Sequence, residues 1–549
     1  MRRENIANNL QLTTAHQYFY KKSTSHITLK GDAAYRRNRN RSNRWTAEFS
    51  ADPKDAYRAA ALDSIFVGAS ERLAKMLINR QKEQQKTVAD NWSGDVRLNG
   101  YFAVPHTPDY INLSADIHVE KRDAISFSDY SLYMNSTSAT DRLLRHVTSP
   151  EVAFDAAVKA TYAYRPDWGN VRPFYDFKES YRDAELSSYR LDRLAEDMPE
   201  YGELPSSVAA LMSCLDAPNS YASRLNTQKH RVGMHIVYWL PGKWPSHSIS
   251  ITPEVEWRID HLTYHRDLLH AKSHRSKLVF LPAVSWGFDI CPINYRLTSA
   301  YPNLLNRLAY TDTADPLNLY QGNPNLKRSI NHEIDFSRSF FDYKKGWHFY
   351  LKACWNVTRN AIAHAMNYDA VTGVRTFSPR NVNGNWGMNF SVDYQQPINK
   401  KQSLVFTAVT DVNYQNSVDY VTERSVVRNL NIGEKLRLNM RIKQHIFDLD
   451  VAVKFLHATS PNTHLQTINS FDFKYSASAQ IVLPAGMLFS TDLTLYHRTG
   501  YTDSSLNDCH FVANARLSKS FLKGRLGLNL TAFDIFNGLS NVTKVINAQ

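Results

Sequence analysis

The feature that most constrains this sequence is a two-residue alternation of apolar and polar side chains, repeated along almost the whole chain. From Tyr110 onward, apolar residues occupy one set of alternate positions and polar residues the other: Ile111, Leu113, Ala115, Ile117 and Val119 against Asn112, Ser114, Asp116, His118 and Glu120. Similar runs cover 152–164, 435–442 and 447–455. Successive strand residues point to opposite faces, so each run predicts a β-strand with one apolar face. The runs are about as long as the roughly 9 to 11 residues that a tilted strand needs to cross a bilayer.

The overall composition is compatible with strands that face lipid on one side only. The chain has 549 residues, of which 43% are hydrophobic, and its mean hydropathy is −0.45. No stretch approaches 18 consecutive apolar residues, which excludes helical membrane spans. A β-barrel avoids that requirement because only every second strand residue contacts lipid.

Short and long connections alternate along the chain. The short ones carry turn residues and lie at 21–24, 105–108, 166–169, 241–245, 288–292, 343–346, 397–401, 444–445, 484–486 and 521–524. The long ones fall between them, at about 38–91, 122–150, 187–227, 261–275, 301–329, 360–386, 416–433, 457–469 and 498–509. Outer-membrane barrels have short periplasmic turns and long extracellular loops. We therefore predict an all-β fold, an antiparallel up-and-down transmembrane β-barrel of about 20 strands that occupies residues 1–549 as a single domain.

Two of the predicted loops contain helical spacing of apolar residues, at 54–86 and 189–215. They are interpreted either as helices that bind a partner or as surface helices folded over the barrel mouth. The net charge of +13 is spread along the chain except for a basic run at 36–44. This run is expected to be solvated or to contact anionic lipid, and no nucleic-acid partner is predicted.

Two short segments resemble a known family. The first is Gly322-Asn-Pro-Asn-Leu-Lys327, which comprises Gly322, Asn323, Pro324, Asn325 and Leu326 followed by a lysine. The second, Asn529 to Asn537, contains Phe533, Asp534, Phe536 and Asn537. Both are similar to motifs of TonB-dependent outer-membrane receptors, where the first leads into a barrel strand and the second forms the penultimate strand.

The resemblance implies a location in the outer membrane and energised import of a scarce nutrient such as an iron chelate, a glycan or a peptide. Family members have 22 strands and an N-terminal plug. By turn parity, the strands seen here correspond to numbers 2 to 21, so a fragment is expected. The implied partners are outer-membrane lipid and lipopolysaccharide, a small-molecule or oligomeric nutrient, and TonB if a plug with a TonB box is supplied. The alternative function is a passive pore or an adhesin whose loops bind a partner.

No enzymatic motif is found, and no catalytic, cofactor-binding or metal-binding residue is predicted. The most suggestive cluster contains His261, His265, His270 and His274. On a helix, His261 and His265 would share one face and bind a transition metal or haem iron. The other interpretation is a polar loop. Charged residues predicted to face the lumen, which would line a substrate path or simply solvate the interior, are Asp116, Glu120, Arg437, Arg441, Asp448 and Asp450.

Overall fold

The computed structural model describes residues 2–50, 61–67, 71–194, 199–241, 247–287, 292–421, 423–460, 467–501, 506–521 and 526–538. Strands dominate these residues and form one sheet. The first half of the chain contains β1 (Arg2–Lys22), β2 (Ser25–Phe49), β3 (Leu77–Ala103), β4 (Tyr110–Met134), β5 (Ala139–Ala163), β6 (Gly169–Arg190), β7 (Tyr221–Trp239), β8 (Ser248–Thr252), β9 (Glu254–Arg266), β10 (Leu269–Phe280), β11 (Ala283–Gly287) and β12 (Ile293–Ala300).

The second half contains β13 (Thr311–Asp315), β14 (Asn318–Gln321), β15 (Ser329–Asp342), β16 (Trp347–Arg359), β17 (Ala361–Tyr368), β18 (Arg375–Val382), β19 (Asn385–Pro397), β20 (Leu404–Val421), β21 (Glu423–Ile442), β22 (His445–Thr459), β23 (Ile468–Leu483), β24 (Met487–Thr499), β25 (Cys509–Phe521) and β26 (Leu526–Ala532). The described α-helices are α1 (Ala61–Val67), α2 (Glu71–Met76) and α3 (Val208–Ser213). Short 3₁₀ turns cover Leu191–Arg193, Ala217–Asn219, Leu305–Arg307 and Pro484–Gly486.

The wall of the molecule is an antiparallel up-and-down sheet. β8 and β9 form one wall strand interrupted at Pro253, and β10 and β11 form another interrupted before Pro282. Proline lacks the N–H that a ladder needs, which explains both breaks. β13, β14, β17 and β18 lie outside the wall, so twenty wall strands remain and the predicted count is confirmed. Among the described residues, β1 pairs with β2 and β26 pairs with β25, with no ladder between β1 and β26.

The predicted alternation separates the two faces of the sheet. On β4, the side chains of Ile111, Leu113, Ile117 and Val119 are exposed on the outer face. The intervening polar residues form ion pairs on the other face, for example His118 Nδ1 with Asp95 Oδ1 at 3.0 Å. A sheet that exposes its apolar side chains and gathers its charges on the opposite face suits a bilayer outside and water inside.

Helices are few and short among the described residues. Within the described residues, no helix is long and apolar enough to span a membrane. The pattern at 54–86 forms α1 and α2 but becomes strand β3 from Leu77. Among the described residues of 189–215, the helical segments are the 3₁₀ turn at Leu191–Arg193 and the six-residue helix α3. Strand pairing thus replaces much of the helix that apolar spacing predicted.

Several predicted loops are extensions of the wall. The range 122–150, predicted as a loop, is almost entirely the hairpin of β4 and β5, with a turn at 135–138. In the range 38–91, β2 and β3 extend into the predicted loop, so the connection between them covers only 50–76. The range 261–275 is also a hairpin, with its turn at 267–268. Backbone ladders continue past the apolar band because their hydrogen bonds do not depend on side-chain hydropathy. Connections at 191–220 and 301–328 remain long, close to the predicted 187–227 and 301–329.

The short turns agree with prediction wherever they are described. Tight connections join the wall strands at 23–24, 104–109, 164–168, 343–346, 398–403 and 443–444 and at the 3₁₀ turn Pro484–Gly486. The predicted turns at 241–245, 288–292 and 521–524 lie mostly outside the described residues.

Candidate ligand-binding site at the mouth of the barrel

Two long connections of the wall combine into a small sheet, which we call the loop sheet, formed by β13, β14, β17 and β18. β13 and β14 pair antiparallel, as do β17 and β18. β14 then pairs in parallel with β18, from Asn318 opposite Arg375 to Tyr320 opposite Phe377. A single parallel bridge from Met366 to Val421 attaches this sheet to wall strand β20. The connection between β12 and β15 and that between β16 and β19 therefore act as one unit.

A carboxylate on a distant wall strand anchors the loop sheet. Glu48, near the end of β2, accepts hydrogen bonds from the Tyr368 hydroxyl at 2.8 Å and from the Arg375 guanidinium at 3.1 Å. It also accepts from the Asn79 side-chain amide on β3 at 3.2 Å. Burial and the neighbouring carboxylate raise the pKa of Tyr368 to about 12, so its hydroxyl remains a donor at neutral pH. The loop sheet, attached to β20 at one side, thus reaches β2 and β3 and crosses the mouth of the barrel.

The turn that joins β17 to β18 is shaped for this contact. Gly373 has a φ of +73°, and a Cβ at this position would lie 2.3 Å from Asn79 Nδ2. The backbone conformation therefore favours glycine, and any larger residue would also displace the Asn79 side chain. Asp369 closes the same turn, because its carboxylate accepts from the Val371 N–H at 2.9 Å and from the Thr372 hydroxyl at 2.8 Å.

We expect this turn to loosen in acid. The hydrogen bonds from Val371 and Thr372 hold the pKa of Asp369 below its usual range of about 3.9. A depressed pKa contributes stability that is fully present above the unfolded value and is lost as pH falls through the folded value. Carboxyl-carbon NMR of ¹³C-labelled aspartate, assigned with Asp369→Asn, should show this midpoint below that of an exposed aspartate. A midpoint at or above the usual value would contradict the assignment.

An apolar cluster forms the second anchor of the loop sheet. Leu317, in the β13–β14 turn, packs against wall residues Tyr130, Leu132 and Leu143, all buried. Val374, beside the β17–β18 turn, packs against the same cluster. Both hairpins of the loop sheet thus bury apolar surface against β4 and β5, which favours the folded-over position by removing that surface from water.

A third contact fixes the entrance to the loop sheet on β9. Arg266 donates to the Pro218 carbonyl at 2.6 Å and to Asp312 Oδ1 at 3.0 Å, and its guanidinium lies 5.0 Å from the ring centroid of Tyr310. Burial raises the pKa of Tyr310 to about 12. Leu304 completes the contact by packing on inward-facing side chains of β9.

Deeper on the same face lies a buried ionic cluster. Asp260 is fully buried and accepts from the Thr227 hydroxyl at 2.8 Å and from the guanidinium groups of Arg258 and Arg275. Both guanidinium groups also face the ring of Tyr301, at 5.2 and 4.6 Å from its centroid. A buried carboxylate with this many donors is fully satisfied, which makes the cluster a rigid floor under the loop connection.

The inner face next to this cluster carries an open polar groove of about 700 Å³. It is lined mainly by charged side chains of both signs, among them Asp95, Arg97, Asp116, Asp155, Lys178 and Arg258. Two of the residues predicted to face the lumen, on the later strands β21 and β22, form an ion pair, in which Arg437 Nε lies 2.6 Å from Asp450 Oδ1. This polar interior can bind an ionic or hydrogen-bonding ligand or simply hold water.

The first motif on which the family resemblance rests lies where the loop sheet meets the wall. Gly322 donates to the Tyr310 carbonyl at 3.0 Å, and a Cβ on Gly322 would lie 1.9 Å from the Leu308 carbonyl oxygen. Asn323 donates from its backbone to Asn306 at 2.7 Å and from its side chain to the Pro379 carbonyl of β18 at 2.9 Å. The remaining residues complete the connector to β15: Pro324 accepts from Arg307, Asn325 donates to Asn323, and Leu326 is buried.

The second motif lies at the end of β26. Asp534 donates its backbone N–H to Asn514 Oδ1 at 2.8 Å, and its carboxylate accepts from Gly538 at 2.8 Å. Phe533 and Phe536 are exposed, and Asn537 has a positive φ of 53°. The structure thus separates the two motifs, and only the first touches the loop sheet.

The four clustered histidines do not lie on a helix, as one interpretation assumed. They lie in the β9–β10 hairpin, where His261 faces His274 and His265 faces His270. No sequence motif pointed to the anchoring residues Glu48, Tyr368, Arg375 and Leu317. Their only sequence signal is the length of the connections that contain them.

Comparison with known proteins identifies the class. Residues 293–548, from β12 through the last described residues, match the outer membrane protein beta-barrel family. Together with the twenty-stranded wall, this match defines an outer-membrane β-barrel, and the predicted location in the outer membrane is confirmed. No curated protein matches the chain.

The structure is also similar to solved structures of two receptors and a transporter. The hemophore receptor HasR of Serratia marcescens, in complex with its hemophore HasA and heme, is 10% identical, with 89% of this chain and 77% of that chain covered and a TM-score of 0.40. The siderophore receptor PirA of Pseudomonas aeruginosa is 10% identical (92% and 79% covered, TM-score 0.39), and the copper transporter OprC is 8% identical (90% and 74% covered, TM-score 0.44).

Proposed function

We propose that this chain is the barrel of a TonB-dependent receptor that imports a scarce nutrient across the outer membrane. The proposal rests on the loop sheet, which is held across the mouth by Glu48 on one wall and by the apolar cluster on β4 and β5. The motif at Gly322 to Leu326, which resembles that of TonB-dependent receptors, connects this sheet to the wall. The proposed partners are outer-membrane lipid and lipopolysaccharide, the nutrient, and TonB acting through a plug with a TonB box.

The covered mouth is the observation that favours a receptor over a passive pore. Diffusion through an open barrel needs an unobstructed lumen, whereas a receptor benefits from loops that retain a bound ligand and then release it. The inner face below the loops is polar and charged, which favours an ionic or hydrogen-bonding nutrient over an apolar one. An iron chelate, a glycan and a peptide all satisfy this description. We propose no catalytic role.

The alternative is a passive pore or an adhesin, with binding by the exposed loops. The long β4–β5 and β9–β10 hairpins extend beyond the mouth and offer surface for such a partner. In this alternative the loop sheet is a structural cover and is not coupled to an energy source.

Energy dependence separates the two functions. Cells that express the protein are given radiolabelled ferric citrate, haemin, maltohexaose and a pentapeptide in turn, with and without a protonophore that collapses the proton gradient. We expect uptake of one compound above that of cells with the empty vector, and its loss when the protonophore is added. Because TonB draws on that gradient, uptake that persists under the protonophore would support the pore and contradict the receptor. Surface binding without uptake of any compound would support the adhesin.

A further inference from the structure

The β9–β10 hairpin places four histidines in two facing pairs on one exposed surface. Its register sets His261 opposite His274 and His265 opposite His270. All four occupy alternate positions and are exposed. The same face of β9 carries Trp257, which is exposed and donates to Ser276 at 2.7 Å. The pairs therefore lie on the outer surface, beyond the apolar part of the wall and away from the inner groove.

The nitrogen atoms of each pair are already close. His261 Nδ1 and His274 Nδ1 are 3.2 Å apart, and His265 Nδ1 and His270 Nδ1 are 2.6 Å apart. Imidazole nitrogens bind Zn²⁺ at about 2.0–2.1 Å, so two of them on one ion lie roughly 2.8–3.4 Å apart at cis angles. The first pair matches this separation. The second reaches it by a small rotation of two exposed rings.

The hairpin itself holds the pairs in register. The turn contains only Asp267 and Leu268, and Asp267 adopts a positive φ of 50°. A two-residue turn of this kind leaves no slack between the strands, and each ladder partner is set by it. Unbroken pairing from Leu269–Arg266 to Phe280–Val255 then fixes the four Cβ positions. Four residues along each strand separate the two pairs, with Thr263 and Lys272 midway between them, so the pairs lie about 13 Å apart along the strands.

We propose that each pair chelates one divalent transition-metal ion on the outer surface of the barrel. Imidazole is a suitable ligand for Cu²⁺, Ni²⁺ and Zn²⁺, and a given site generally binds Cu²⁺ most tightly of the three. Within the described residues, no group of three or more His, Cys, Asp or Glu side chains is placed to hold an ion. Each ion is therefore bound by two imidazoles, and its remaining positions are open to water or to a donor atom of an external ligand. The proposal rests on the hairpin alone and is independent of transport.

The test is a Cu²⁺ titration of the full chain, purified in detergent without a polyhistidine tag. Calorimetry measures the stoichiometry and the Kd, and electron paramagnetic resonance reports nitrogen coordination. The double variant His261→Gln/His265→Gln removes one ligand from each pair and should lose two equivalents of Cu²⁺ relative to the unaltered protein. Each single variant should lose one. Loss of an outer-shell partner alone weakens metal affinity about 10- to 100-fold, so the Kd at an altered pair should rise at least tenfold.

Two further variants make the result decisive. His230→Gln removes a half-buried histidine of the neighbouring strand β7, whose Nδ1 lies 2.8 Å from the Tyr175 hydroxyl, and it should retain every equivalent. His270→Gln/His274→Gln alters the opposite strand and should reproduce the loss seen with His261→Gln/His265→Gln. Unchanged Cu²⁺ binding in either double variant, or an equal loss with His230→Gln, would overturn the proposal.

Discussion

Replacing Gly322 by alanine is expected to displace the connector between the loop sheet and the wall. The added Cβ would lie 1.9 Å from the Leu308 carbonyl oxygen and 3.3 Å from that of Asn306. Both obstacles are backbone atoms, which cannot rotate away as a side chain does. Overpacking of this kind typically costs about 1–3 kcal/mol, and we expect a loss of unfolding free energy at the upper end of that range.

Hydrogen exchange and urea unfolding in detergent measure this effect. Exchange should increase in β14 and β18, because the hydrogen bonds from Gly322 to Tyr310 and from Asn323 to Pro379 are strained together. Gly527→Ala is the matched control, since nothing lies within 4 Å of a Cβ at that position. Equal stability of Gly322→Ala and Gly527→Ala would show that the connector does not constrain the loop sheet.

Replacing Glu48 by glutamine or alanine is expected to release the loop sheet from β2 and β3. The change removes the negative charge that accepts from Tyr368, Arg375 and Asn79. A partly buried donor left without its acceptor costs about 1–3 kcal/mol, and glutamine retains only part of the hydrogen bonding. We therefore expect the equilibrium for opening of the loop sheet to shift by about tenfold or more with alanine, and by less with glutamine.

Conductance in planar bilayers and hydrogen exchange of β17 and β18 report this opening. Both should increase in Glu48→Ala, whereas the barrel wall should keep its protection. Glu333→Gln is the control, because its partner Arg296 is largely exposed and such pairs contribute little. If Glu48→Ala shows the same conductance as the unaltered protein, the hydrogen bonds of Glu48 are not needed, and the apolar cluster at Leu132 and Leu317 holds the mouth closed by itself.

Much of the wall could be predicted from sequence because its rules are local. Alternation along a strand and turn residues between strands depend on near neighbours, and an up-and-down sheet pairs each strand with the next. The twenty wall strands and seven of the ten short turns were therefore predictable, with the other three lying mostly outside the described residues. The positions at which strands end were less predictable. At β4 and β5 the ladder continues into a range predicted as loop, since polar side chains do not interrupt backbone pairing.

The candidate site depends on contacts that have no local signal. Glu48 and Tyr368 are 320 positions apart in the chain. The parallel pairing of β14 with β18 joins two separate connections, and turn lengths do not encode such a pairing. The histidines show the same limit, because their spacing is compatible with one face of a helix or with alternate positions of a strand. Register in the β9–β10 hairpin decides which nitrogens meet.

From the amino-acid sequence alone it follows that this chain forms long two-faced strands joined by alternating short and long connections, and hence an outer-membrane barrel. The physical reason is that lipid outside and water inside select side chains at every second position. The tertiary structure was needed to show that two of the long connections fold inward as one sheet held by Glu48, and that the histidines face one another in pairs. Those arrangements depend on curvature of the wall and on strand register, which bring together residues that are distant in the chain.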